Sequence, residues 1–196
     1  MGKLIVDRPD KFYHYYPTVA AIVVVKYQDN INAMSVAWNM GLSSNPPLYG
    51  ILVAPKRYTH ELIEKAKEFS VNFVSAKDSD LLAICGRISG READKLKEYN
   101  IKLEPSHAIS SPVIAKAYAS YECNLYRQTS VGDHTLFAGE IVKVHSVKDA
   151  FKDNGLPELR NNMPNLYLGS DTYLYIKDFE IKVIDKNAIL GLKEKT

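Results

Sequence analysis

With 196 residues, a formal net charge of +2 and 24% charged residues, the chain is long enough to bury a sizeable core and is expected to form one domain over 1–196. Its basic residues are scattered rather than gathered into a stripe, which argues against nucleic acid as a partner. The longest apolar run, Val19 to Val25, is far shorter than the roughly 20 residues a membrane helix needs, and Asp7, Arg8, Asp10 and Lys11 interrupt the place of a signal-peptide core. Cys85 and Cys123 form no C-x-x-C, so free thiols in a reducing cytoplasm are expected, and neither a disulfide nor a metal site has support.

Val19 to Tyr27 is β-branched and lies between Pro17 and the turn signal Gln28-Asp29-Asn30, which predicts a buried strand opening a hairpin. Ile31 to Met40 reads as a second strand, in which Ala33, Ser35 and Ala37 alternate with Met34, Val36 and Trp38. The small face would let a flat ligand lie against the backbone; Trp38, on the other face, is expected in core or interface packing. Pro46-Pro47 bars helix, and Leu48 to Ala54 is a third strand. Next come Lys56, Arg57, Tyr58 and Thr59, with Thr59 as the expected N-cap of a helix carrying Leu62, Ile63 and Ala66 at helical spacing. Cations at a helix N-terminus run against the macrodipole. A phosphate would resolve that conflict, since it would meet both the charges and the free N–H groups. A flat platform beside an anion site points to flavin mononucleotide, FMN.

Phe69 to Val74 is a further strand, Asp78 to Cys85 a short helix, and Ser89-Gly90-Arg91-Glu92 has the capping-box form ahead of Ala93 and Leu96. Arg91 and Lys95 are as readily solvent-facing as ligand-facing. Ala115 to Gln128 and Thr135 to Ser146 are long strands, Asp149 to Pro164 is loop, and Leu166 to Ile176 is a last apolar patch rich in tyrosine. The pattern is mostly β with short helices (α+β). No Gly-x-Gly-x-x-Gly turn is present, so a dinucleotide-binding domain is not expected.

Three segments, in order, carry a family resemblance: Asn32 to Leu62; Cys85-Gly86-Arg87-Ile88-Ser89-Gly90-Arg91-Glu92-Ala93-Asp94-Lys95; and Gly132-Asp133-His134-Thr135-Leu136-Phe137-Ala138-Gly139-Glu140. Together they resemble the flavin reductase-like, flavoredoxin-type branch of the FMN-binding split β-barrels, over about Tyr13 to Tyr175. The chain departs at Ala37, where a hydroxyl residue is common, and in a Lys-rich tail after Asp185.

The resemblance implies a homodimer with one FMN per subunit near the interface, and hydride transfer from NADH or NADPH to flavin N5. Such a step needs stacked rings rather than a catalytic acid or base. Candidate FMN contacts are Met34, Ser35, Val36, Ala37, Trp38, Asn39 and Ala54, with backbone N–H groups of Val36 to Asn39 and Ala54 as dipoles for the reduced ring. Lys56, Arg57, Tyr58 and Thr59 would take the phosphate; Ser89 and Gly90 are added by resemblance alone. His134 is expected either as a strand-entry residue or, by resemblance, beside the nicotinamide. The electron acceptor stays open among free flavin, a monooxygenase component and a redox protein. Two alternatives remain: an FMN electron carrier reduced by a protein partner, or an FMN-binding module without turnover.

Overall fold

The run from Ala21 to Val25 is buried without a break, because both faces of its strand are covered. The structure, a computed structural model, describes residues 2–9 and 12–184. After a single 3-10 turn at Tyr13–Tyr15 come β1 (Thr18–Val19), β2 (Ala21–Tyr27), β3 (Asn30–Val36), β4 (Asn39–Ser44) and β5 (Pro47–Val53). Then follow α1 (Tyr58–Ala66), β6 (Glu68–Val74), α2 (Ser79–Arg87), α3 (Lys95–Glu98), β7 (Leu103–Glu104) and β8 (Val113–Ile114). The long strands β9 (Ala117–Val131) and β10 (His134–Ser146) precede a final hairpin, β11 (Leu166–Gly169) and β12 (Thr172–Leu174).

Seven strands form one antiparallel sheet in the order β3-β2-β6-β9-β10-β5-β4. β3 and β4 are neighbours in the chain yet occupy opposite edges. The sheet therefore curls until its edges approach, without a ladder between them: a split barrel. β1 pairs with the β11–β12 hairpin in a small second sheet.

Alternation along β2 sends Val23 and Val25 into the barrel interior, against Ile51, Val53, Phe69 and Phe137, with Leu62 and Ile63 of α1. Ile22 and Val24 point outward into a second cluster with Leu82 and Cys85 of α2. Phe69 and Phe137 are fully shielded, each contributing roughly 1.5–3 kcal/mol by area burial. Gly139 is required beside them, since a Cβ there would lie 2.6 Å from Phe69 Cζ. Both cysteines are free and buried. Among the described residues, no helix is long and apolar enough to cross a membrane.

Several expectations are corrected. The strand predicted over Ile31 to Met40 breaks after Val36, because the chain must cross from one sheet edge to the other there. At this corner Trp38 O accepts from Leu52 N at 3.0 Å, and Asn39 Nδ2 donates to Val19 O and Val36 O at 3.0 Å each. Arg57, not Thr59, is the N-cap residue; the helix has already begun at Tyr58, and Thr59 is buried inside its first turn. Ser89 caps no helix. Residues 90–92 are turn, and α3 starts at Lys95 with Asp94 capping it by accepting from Lys97 N at 3.2 Å.

Candidate functional site: a cleft at the open seam of the barrel

Where the barrel fails to close, a cleft of about 750 Å3 opens. Five consecutive residues, Met34 to Trp38, form one wall, and Leu52 to Arg57 form the other. Consecutive residues can line one wall because β3 is an edge strand and presents its unpaired backbone to the cleft. Ala33 O, which accepts from Lys95 Nζ, fixes which groups face outward. By the two-residue repeat, the N–H and C=O of Ser35 share that direction. Of the small-residue face, Ala33 is closed to a ligand, whereas Ser35 and Ala37 are partly exposed and line the cleft. Ala33 is fully buried beneath α2, and the Ser35 hydroxyl donates to Leu82 O at 2.6 Å. The flat wall is thus the strand edge and its corner. Asn39 is not among the cleft-lining residues; its side chain is held by the corner and by Tyr49 Oη.

A smaller cavity of about 180 Å3 shares Met34, Lys56, Arg57 and Gly86 with the cleft and adds Tyr58, Thr59, Ser89 and Gly90. Its floor is a buried polar network. Asn32 Nδ2 donates to Thr59 Oγ1 at 2.8 Å, while Asn32 Oδ1 accepts from Lys95 Nζ at 3.0 Å. Lys95 is only 3% exposed, and its other bond is to Ala33 O at 2.9 Å. Among the described residues no carboxylate pairs with it. Burial lowers its pKa, opposed by the influence of Cys85 and Asp94. An ammonium has three donors, and a buried charge met only by neutral oxygens is costly. An anion in this cavity would offset that cost. Gly90 makes the packing possible, because a Cβ there would sit 2.1 Å from Asn32 Oδ1. Arg91 stays half exposed, bonds Lys56 O and Glu61, and lies 5.1 Å over the Tyr58 ring, fixing the basic loop against α1.

Tyr13, Tyr16, Trp38, His134 and Tyr167 line the large cleft but not the small cavity, whose one aromatic wall residue among the described residues is Tyr58. Because the strand ends at Val36, Trp38 escapes the alternation that would have turned it into the core. It lies half-buried in the cleft wall, donating its indole N–H to Tyr16 Oη at 3.2 Å, with its ring 4.7 Å from that of His134. His134 opens β10, and its Nδ1 lies 2.6 Å from Asp133 Oδ1. The β11–β12 hairpin adds Tyr167 to Ser170. Its two-residue turn, Ser170-Asp171, has positive φ at both positions, the form that suits tight hairpins, and Asp171 pairs with Arg87 at the end of α2.

All the sequence-predicted residues except Asn39 meet in these two spaces. Sequence reasoning missed Asn32 and Tyr16 as wall residues and gave Lys95 no preference. A charged residue in the Asp-Lys pair that ends a Gly-rich turn was the one available signal for Lys95.

The flavin reductase-like domain, as a family model, matches residues 12–175. The chain belongs to this family. An FMN-binding protein from Thermus thermophilus, solved with bound 1-cyclohex-2-enone, is similar at 37% identity and a TM-score of 0.80, over 88% of this chain and 94% of that one. The NADH-dependent FMN reductase of Streptomyces nodosus is 28% identical over 68% of this chain and 71% of its own length. Flavoredoxin from Methanosarcina acetivorans shares the fold, with a TM-score of 0.83 at 23% identity, over 97% of this chain and 100% of that one.

Proposed function

We propose that the chain binds FMN in the seam cleft and acts as an NAD(P)H-dependent oxidoreductase. Lys95 carries the reading: a buried cation without an anionic partner among the described residues, bordering a cleft with a flat strand-edge wall. The chemistry of the donor set fits the cofactor. Lys95, Arg57, the Thr59 hydroxyl and the first N–H groups of α1 would hold a phosphate. The β3 edge and the Ala37–Trp38 corner would meet a planar ring with backbone donors and acceptors.

Bound FMN supplies two-electron chemistry, accepting hydride from a nicotinamide and passing electrons on. The protein's own work is positional. The corner and the β11–β12 hairpin wall off the ring, and backbone N–H groups place fixed dipoles along the β3 edge. His134 and Trp38 shape the mouth where a nicotinamide would enter. The names of the Thermus and Streptomyces relatives support FMN and NADH respectively. The same reading includes a cytoplasmic homodimer; exposed Met40, Val142 and Val144 are apolar surface that a second copy would cover.

The test is anaerobic titration of purified, FMN-loaded protein with NADH and then NADPH, followed by flavin absorbance. Bleaching by either supports the reductase. FMN that neither nucleotide reduces, but reduced ferredoxin does, replaces it with a carrier.

A further inference from the structure

One part of the cleft wall, the β11–β12 hairpin, is not held by the barrel. It belongs to the small second sheet, where Thr18 and Val19 of β1 pair with Tyr167 and Leu166. At the hairpin's base Asn165 is buried and tied to the body. Its carbonyl accepts from Ala20 N and its side chain donates to Ser75 O, both at 3.1 Å. Tyr167 and Tyr173 lie half-buried beside the outer hydrophobic cluster, with rings 5.4 Å apart. Beyond them the packing stops. Leu168 and Leu174 are exposed, and a hollow of about 310 Å3 lies between Leu82 and Arg87 of α2 and Ser170, Asp171 and Tyr173. Tyr167 and Ser170 line both this hollow and the cleft, so open space lies on either side of the tip.

Charge holds the tip. Arg87, the last residue of α2, donates to the Asp171 carboxylate, and both side chains are exposed. Among the described residues, no other hydrogen bond or ion pair joins Ser170 or Asp171 to the body. The turn takes φ of 49° at Ser170 and 56° at Asp171, a left-handed geometry that glycine adopts freely. Glycine, though, has no carboxylate to offer Arg87. Non-glycine residues held in that region cost energy and cluster at ligand clamps and switches. An exposed ion pair is weak and screened by salt, so this fastening costs little to undo.

Resting on the FMN reading above, we propose that the hairpin is a strap across the flavin ring, latched by Asp171 and Arg87, and that unlatching gates FMN entry and release. Arg87 is then a positioning residue, which sets the strap without touching the cofactor. Closed, the strap lays Tyr167 to Ser170 along the cleft. Open, it joins cleft and hollow into one space through which the ring passes.

The experiment is stopped-flow binding and release of FMN, read by its fluorescence, in wild type, Asp171→Asn and Arg87→Gln. Asparagine tolerates the left-handed turn while removing the charge. A gate is crossed in both directions. Each variant should therefore bind and release FMN about two- to fivefold faster, the range of an exposed ion pair, with nearly unchanged affinity. The double variant should be no faster than either single one, because both changes remove the same latch. Release that quickens while binding keeps its rate would make the pair an ordinary support of the wall and overturn the strap. Unchanged rates in both variants overturn it too, as does complete loss of FMN, which would put the pair inside the flavin site. These results leave the FMN reading standing as long as wild type binds FMN. Failure of wild type to bind it overturns both.

Discussion

The Lys95 ammonium donates to the Asn32 side-chain oxygen at 3.0 Å, across 63 positions of chain. This bond joins the first residue of α3 to the edge strand β3, and it holds a nearly buried cation at the wall of the small cavity. Burial holds the Lys95 pKa below its ordinary 10.5. Between that lowered value and 10.5 the unfolded chain binds more protons than the folded one, so flavin-free protein should gain stability as pH rises through this window. Below the window the cost of the buried charge is fully present. Lys95→Met should abolish the gain, as read from urea midpoints, and should weaken FMN by about ten- to a hundredfold, the value of one charge-assisted hydrogen bond. Riboflavin, lacking the phosphate, should be affected far less. A wild-type midpoint flat across the alkaline range would remove the argument.

Gly90 offers a test of the same network through sterics. Its missing Cβ would lie 2.1 Å from Asn32 Oδ1 and 3.0 Å from Tyr58 Cδ1, so Gly90→Ala must displace one of them. Overpacking of this kind costs roughly 1–3 kcal/mol, and FMN affinity should fall with it. Adding Asn32→Ala clears the overlap and should return part of the stability without returning the affinity. Purely additive losses in the double variant, by denaturant unfolding, would mean the two residues do not compete for space.

Thr59 and Arg57 should separate stability from binding. The Thr59 hydroxyl accepts from Asn32, so Thr59→Val strands a buried amide N–H at a cost of roughly 1–3 kcal/mol. The same change removes an O–H from the small cavity, and FMN should bind about tenfold more weakly. Arg57 is exposed and its side chain has no partner among the described residues. Arg57→Ala should therefore weaken FMN by a similar factor while leaving the unfolding midpoint in place. Equal losses for FMN and riboflavin in either variant would separate these residues from the phosphate.

Much of this site could be read from the chain because its signals are local. Lys56 to Thr59 sit together before a helix, and the β-branched run of β2 announces a strand buried on both faces. What failed to show depends on where distant segments meet. Trp38 shares the face of Val36 only if the strand continues, and the corner that ends it exists because the sheet must close on itself. Ala33 and Ser35 look like a ligand platform until α2 packs on them. Lys95 reads like any surface lysine, since only the fold brings α3 against Asn32 and Ala33. The Ser89–Glu92 pattern satisfies the capping-box spacing, yet the chain spends those residues on a turn that lets Gly90 reach Asn32.

Away from the cleft, Glu122 should govern acid stability. It is fully buried in β9 and accepts from His107 N at 2.9 Å, Ala108 N at 2.6 Å and His145 Nε2 at 2.5 Å. Burial pushes its pKa up, but the bonds from His145, His107 and Ala108 outweigh that and leave it below 4.5. A depressed carboxylate pKa contributes stability above 4.5 that is lost as pH falls through the folded value. Glu122→Gln should cost about 2 kcal/mol near neutrality, the scale of hydrogen bonds to a charged group, and should flatten the acid limb of the stability profile. An unchanged acid limb in the variant would assign acid unfolding to other carboxylates.

His134 bears on how the nicotinamide is recognised. It lies in the cleft wall beside Trp38, but it does not line the small cavity that holds Lys95 and Thr59. A residue placed there touches whatever enters the mouth rather than the phosphate. His134→Ala should leave FMN affinity intact and slow reduction by NADH or NADPH by about two- to tenfold at limiting nucleotide, the worth of one neutral hydrogen bond. Photoreduction of the bound flavin bypasses the nicotinamide and should proceed at the wild-type rate. Stopped-flow reduction of both proteins over a range of each nucleotide makes the measurement. Identical rates at every concentration reduce His134 to the first residue of β10, held by Asp133. Loss of FMN itself would instead move it into the flavin site, with Trp38 as the side chain it positions.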